Sequence, residues 1–94
     1  MNDIQISNHA QRRMQQRGIP QQVIEWLLEV GSTVHDHRGC RVHFMDKSAR
    51  RRLARVIPAD QYRRLEKKLN TYLVETASGM IVTVGHRYSR VRHH

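Results

Sequence analysis

Acidic residues are scarce in this chain: eight Asp and Glu stand against seventeen Lys and Arg, a formal charge of +9 in 94 residues. Two-metal hydrolysis gathers several carboxylates in one place, so it is not expected here. Cysteine is scarcer still. The lone Cys40 excludes an internal disulfide framework and suits a reducing cytosol. No apolar stretch approaches the ~20 residues of a membrane-spanning helix, so no membrane partner is expected. The opening MNDIQIS lacks a basic segment followed by an apolar one, so a secretory signal is not expected and the chain reads as soluble and cytoplasmic. There is no Gly-rich phosphate loop, no GxSxG and no paired-carboxylate motif. Lysine, too, is rare, at three residues against fourteen arginines.

That last imbalance is informative. For solubility alone the more strongly hydrated lysine would serve as well. Arginine offers a rigid fork that matches phosphate in bidentate fashion and stacks on bases. The expected partner is therefore a polyphosphate, of which nucleic acid, RNA or DNA, is the commonest. A basic surface that meets an acidic protein, or a merely solvated charged shell, is the plainer alternative.

The apolar fraction, 38%, is low but falls in periodic runs, enough for one modest core in a single domain over residues 1–94. Ile4 and Ile6 alternate with polar residues as a short strand. Ser7 suits an N-cap and Gly18 a helix stop around a first helix. Pro20 opens a second helix, whose inward face is Val23, Ile24, Leu27, Leu28 and Val30. Residues 32–45 alternate around a turn at His37-Arg38-Gly39-Cys40, the pattern of a β-hairpin. Asp46 caps a third helix with Ala49, Leu53, Val56 and Ile57 inward, and Arg50, Arg51, Arg52 and Arg55 on its other side. Pro58 begins a fourth, packed through Tyr62, Leu65, Leu69 and Tyr72, with Arg63, Arg64, Lys67 and Lys68 in solvent. Residues 72–77 and 80–88 form a second hairpin around Ser78-Gly79. The order β-α-α-β-β-α-α-β-β predicts an α+β domain with a mostly antiparallel sheet and helices on one face.

Two segments carry a resemblance. His9-Ala10-x-x-Arg13-Met14-x-x-Arg17-Gly18-Ile19 resembles the HAxxRMxxRGI opening of a group of small bacterial proteins. Val82-Thr83-Val84-Gly85-His86-Arg87-Tyr88 is similar to the last strand of the RelE/ParE toxin superfamily, where VGHR is common. Together, over residues 9–19 and 82–88, they cover about a fifth of the chain. The resemblance implies a domain related to toxins that cleave ribosome-bound messenger RNA or poison gyrase, paired with an acidic antitoxin protein. It implies fold more than activity, because no complete toxin catalytic set can be laid onto this sequence, and the basic helices between Asp46 and Asn70 interrupt the strand series.

His9, Arg13 and Arg17 share one helix face at i, i+4 and i+8. Three stacked basic groups repel one another, and a bound phosphate chain would offset that. The alternative is that Arg17 binds Glu25 or Glu29 and His9 merely packs. In the first hairpin, Cys40, Val42 and Phe44 alternate with Arg41 and His43. With the apolar set on the helices, His35, His37, Arg41 and His43 are expected on the opposite sheet face, joined by Arg87, while Val82, Val84 and His86 point inward. Such a face suits metal-independent RNA cleavage by the RNA's own 2′-hydroxyl, with His43 as acid–base and Arg41 or Arg87 on the phosphate. An ordinary polar sheet face is the alternative. His35-x-His37 with His43 matches no established zinc spacing, and neither a metal nor another cofactor is expected. Cys40 reads as a small hydrophobe rather than a nucleophile. Arg50, Arg51 and Arg55 could dock on a phosphate backbone or an acidic antitoxin segment, and Arg90 continues the basic stripe. A non-catalytic nucleic-acid-binding or protein-interaction domain of the same fold is the alternative to a toxin-like one.

Overall fold

The computed structural model describes residues 4–36 and 38–87. A short strand β1 (Gln5–Ile6) leads into helices α1 (Asn8–Arg17) and α2 (Gln21–Val30). The hairpin β2 (Ser32–His35) and β3 (Arg41–Phe44) follows, then α3 (Lys47–Val56) and α4 (Ala59–Leu65), a 3-10 turn (Glu66–Asn70), and the hairpin β4 (Thr71–Glu75) and β5 (Met80–His86). The five strands form one sheet in the order β1-β5-β4-β3-β2. Only β1 runs parallel to its neighbour; the other pairings are antiparallel. The expected α+β order and the mostly antiparallel sheet are both found.

Local chemistry sets the element ends. The Ser7 side chain accepts the Ala10 N–H, and Asp46 accepts that of Ala49, each filling one orphan donor of its helix. Gly18 ends α1 at φ 63°, with its own N–H and that of Ile19 turned back onto Gln15 and Met14 carbonyls. That left-handed stop is what the Arg-Gly-Ile of the first motif is for. Both prolines sit one position earlier than expected, as extended N-cap residues before Gln21 and Ala59.

One core lies between the sheet and the helices. Ala10, Val23, Ile24, Leu27, Leu53, Leu69, Leu73, Ile81 and Val84 are buried in it. Cross-strand register fixes which sheet residues join them: His43 is level with Leu73, and Leu73 with Val84. On β5 the register slips, so that Val74 pairs with Thr83 but Glu75 with Ile81. Two residues are thereby spent against one, a β-bulge that turns Ile81 inward beside Val84. Val82, expected inward, is displaced from that row.

Three further expectations are corrected. Val56 is 68% exposed rather than core-facing, because α3 stops there and the extended Ile57 swings back to pack on the core instead. The α4 segment tightens into a 3-10 turn before Leu69, and Tyr72 belongs to β4 rather than to a helix face. The largest correction is to β3. His43 is buried at 7% exposure on the helix-bearing face, while Val42 and Phe44 lie on the other. Alternation separates a strand's residues into two sets without saying which set meets the core. Here β4 and β5 decide it, since their Leu73, Val84 and Ile81 are the residues the helices cover. The opposite face of the sheet therefore carries two cross-strand rows, Val34-Val42-Val74 and Phe44-Tyr72-Gly85.

Candidate nucleic-acid interface and the Glu75 cluster

The inversion of β3 brings together residues that face the core side of the sheet at its open margin. Glu75 Oε1 lies 2.9 Å from His43 Nε2 and 3.2 Å from Arg41 Nε. The other ring nitrogen of His43, Nδ1, is 3.1 Å from the Thr33 hydroxyl on β2. An Arg41 terminal nitrogen reaches the Thr76 carbonyl, and His35 is the cross-strand partner of Arg41 on the exposed strand β2. A carboxylate thus holds an imidazole and a guanidinium at once, with Thr33 at the solvent end of the chain. Burial alone would raise the Glu75 carboxyl, but hydrogen bonds from His43 and Arg41, reinforced by their charges, hold it below the ordinary carboxylate range. Because Glu75 accepts at Nε2, the proton there leaves Nδ1 to accept from the Thr33 hydroxyl when the ring is neutral.

Arg41 and His43 are therefore adjacent, as the sequence suggested, but Arg87 is not with them. Its guanidinium carbon stands 4.4 Å from the centre of the Phe44 ring, on the far side of the sheet. His37 and Arg90 lie outside the described residues. Sequence reasoning missed Glu75. Its signal was present in a faint form, an isolated acid two residues after Leu73 in an alternating strand of a chain short of acids.

The remaining arginines divide by what holds them. Arg52 caps the end of α2, donating to the Val30 carbonyl through two nitrogens at 2.9 and 3.1 Å. Arg50 reaches the Met45 carbonyl and the Asn70 side chain, tying α3 to the 3-10 turn. Arg13 is half-buried, with its Nε enclosed and making no hydrogen bond. His9 is exposed on the first turn of α1, and His86, in the inward row, approaches the Arg17 carbonyl at 3.4 Å. Arg51, Arg55, Arg63, Arg64 and Lys67 are exposed on α3, α4 and the turn after them. Among the described residues the ion pairs are confined to Glu75 with Arg41 and His43, so these five cations make none there, although Asp60 and Glu66 stand on the same stretch of chain.

No three His, Cys, Asp or Glu side chains among the described residues converge as a metal site. Asp36 accepts the Arg38 and Cys40 N–H groups and organises the β2–β3 turn. One concavity, of about 610 Å³, is lined by Ile4, Ile6, Met14, Ile19, Leu65 and Lys68 among others. Lys68 is its one charged lining residue, and it holds neither an acid nor a nucleophile. Among the described residues no helix is long and apolar enough to cross a membrane.

Residues 6–85 match the family described as a domain of unknown function, DUF4258. The chain belongs to that family. No curated protein and no solved structure is significantly similar to it. The matched span covers every described strand and helix except the first residue of β1 and the last of β5, so the family is coextensive with the fold.

Proposed function

We propose that this protein acts on nucleic acid, as an RNA-binding, toxin-like protein related to the RelE/ParE superfamily and controlled by an acidic antitoxin. One observation carries the reading: the exposed cations of α3 and α4 have no carboxylate partners among the described residues. Folding gains nothing from gathering Arg51, Arg55, Arg63, Arg64 and Lys67 on one helix pair, whereas a phosphate backbone would neutralise them. The Val84-Gly85-His86-Arg87 run, and the order of a strand, two helices and antiparallel strands, support the toxin-like kinship.

A second reading, cleavage of the bound RNA, is favoured by the Glu75 cluster. His43, oriented by Glu75 at Nε2, would take the proton from a 2′-hydroxyl at Nδ1, where the 2′-hydroxyl displaces that of Thr33, as the 2′-oxygen bonds to phosphorus. Arg41 would stabilise the crowded phosphate. The exposed His35 would protonate the departing 5′-oxygen as the P–O bond breaks, leaving a 2′,3′-cyclic phosphate. The test is a titration with labelled single-stranded RNA over a range of salt. With about five phosphates neutralised, the log–log slope should be roughly −3.5, and Arg51→Ala and Arg55→Ala should each reduce its magnitude by about 0.7. Binding indifferent to salt would remove the reading. Induced expression with growth measurement and primer extension on messenger RNA then separates cleavage from binding alone.

A further inference from the structure

We propose that the helix-free face of the sheet is a stacking platform for the unpaired bases of single-stranded RNA, centred on Tyr72, Phe44 and Arg87. The proposal rests on the RNA-binding reading above and deepens it by naming where bases are held. Phe44 and Tyr72 are cross-strand neighbours on β3 and β4, and Gly85 is the next position in the same row on β5. Tyr72 lies across Gly85: a Cβ there would stand 3.0 Å from the Tyr72 Cε1 and 3.3 Å from its hydroxyl oxygen. The missing side chain lets the ring rest on the neighbouring strand. Beside it the Arg87 guanidinium covers Phe44, 4.4 Å from the ring centre. Two flat groups of the kind that bases stack upon, a phenol and a guanidinium, are thus set side by side on an open sheet.

Phe44 and Tyr72 are only half-buried, and Val34 in the adjoining row is 51% exposed, so among the described residues this face is left partly open. Charge decides what should. No residue of the two rows is charged, Arg87 adds a cation beside the second of them, and the molecule carries +9. A second copy would set two such surfaces together, whereas a polyanion lowers the repulsion. The platform is also continuous with the basic helices. Strand β3 runs from Phe44 into α3, the 3-10 turn runs from α4 into β4, and the Arg87 N–H donates to the Asn70 carbonyl while Arg50 of α3 donates to the Asn70 side chain. Backbone phosphates along α3 and α4 would leave the following bases over this end of the sheet.

The platform distinguishes single strands from duplexes, because only unpaired bases present their faces. A short single-stranded RNA carrying one 2-aminopurine, and a duplex of the same length, are titrated against the whole protein. Tyr72→Leu and Phe44→Leu keep apolar volume and remove stacking; Arg87→Lys keeps charge and removes the plane without touching the core. Circular dichroism checks that each is folded. Each variant should bind the single strand about 5- to 150-fold more weakly, with an unchanged salt slope and loss of the 2-aminopurine quenching seen with the unaltered protein. Duplex affinity should hardly move. If Arg87→Lys and the folded leucine variants bind and quench like the unaltered protein, the platform is refuted while the basic helices stand. Failure of the unaltered protein to bind either RNA removes the RNA reading itself. Concentration-dependent association abolished by Tyr72→Leu would assign the face to a second copy and overturn the proposal.

Discussion

Glu75→Gln keeps shape and deletes one charge, which makes it the sharpest probe of how the buried cluster is held. Glu75 is 17% exposed and His43 8% at their side chains, while Arg41 is 33% exposed. Hydrogen bonds to charged groups contribute about 1.5–3 kcal/mol each, but glutamine retains one acceptor oxygen. The Arg41 contact must also be discounted for solvent screening. The expected net cost near neutrality is about 1–2 kcal/mol, or roughly 4–8 °C in Tm for each kcal/mol in a domain of this size. The pH dependence follows from the direction of the shift. A carboxyl depressed by folding adds stability that is fully present above its unfolded pKa, about 4.3, and is lost as pH falls through the lower folded value. The gap between the parent and Glu75→Gln should therefore be widest near neutrality and close in acid. Asp46 is also depressed, since Ala49 and Ser32 hydrogen bonds and the Arg52 charge outweigh its burial, but it is common to both proteins and cancels. Equilibrium urea unfolding, followed by the fluorescence of the single, buried Trp26, gives the comparison. A gap that persists undiminished in strong acid would refute the reasoning, because the loss would then come from packing rather than charge.

Two further outcomes check the fold. Leu27→Ala, at a fully buried position, should cost about 2–5 kcal/mol, whereas Val56→Ala, expected inward on α3 but 68% exposed, should stay within about 0.5 kcal/mol; equal losses in urea unfolding would contradict the placement of α3. Asp46→Ala removes the acceptor of both the Ala49 N–H and the Ser32 hydroxyl, each at 2.8 Å, and should lower stability by about 1–2 kcal/mol without affecting RNA affinity.

Periodicity and capping chemistry are local, and these the sequence determined by itself. Ser7 and Asp46 begin helices and Gly18 ends one because the groups they satisfy, or the φ they permit, lie within a few residues. Leu27, Leu53 and Val84 were legible as core because each repeats with its element's own period. Arg41 and His43 were legible as neighbours on one face for the same reason. The tertiary structure alone decided which way that face points. A strand's alternation is symmetric about its plane, and only the covering of Leu73 and Val84 by helices selects the inner side. Once chosen, it carried His43 inward to Glu75, a residue 32 positions away in the chain, and left Phe44 outward under Arg87. The bulge that exchanges Val82 for Ile81 arises from the pairing of two strands, and no residue of either strand announces it. Local rules thus supplied the elements and their ends, while long-range register supplied the site, since the energy that fixes a register is shared between strands and belongs to neither alone.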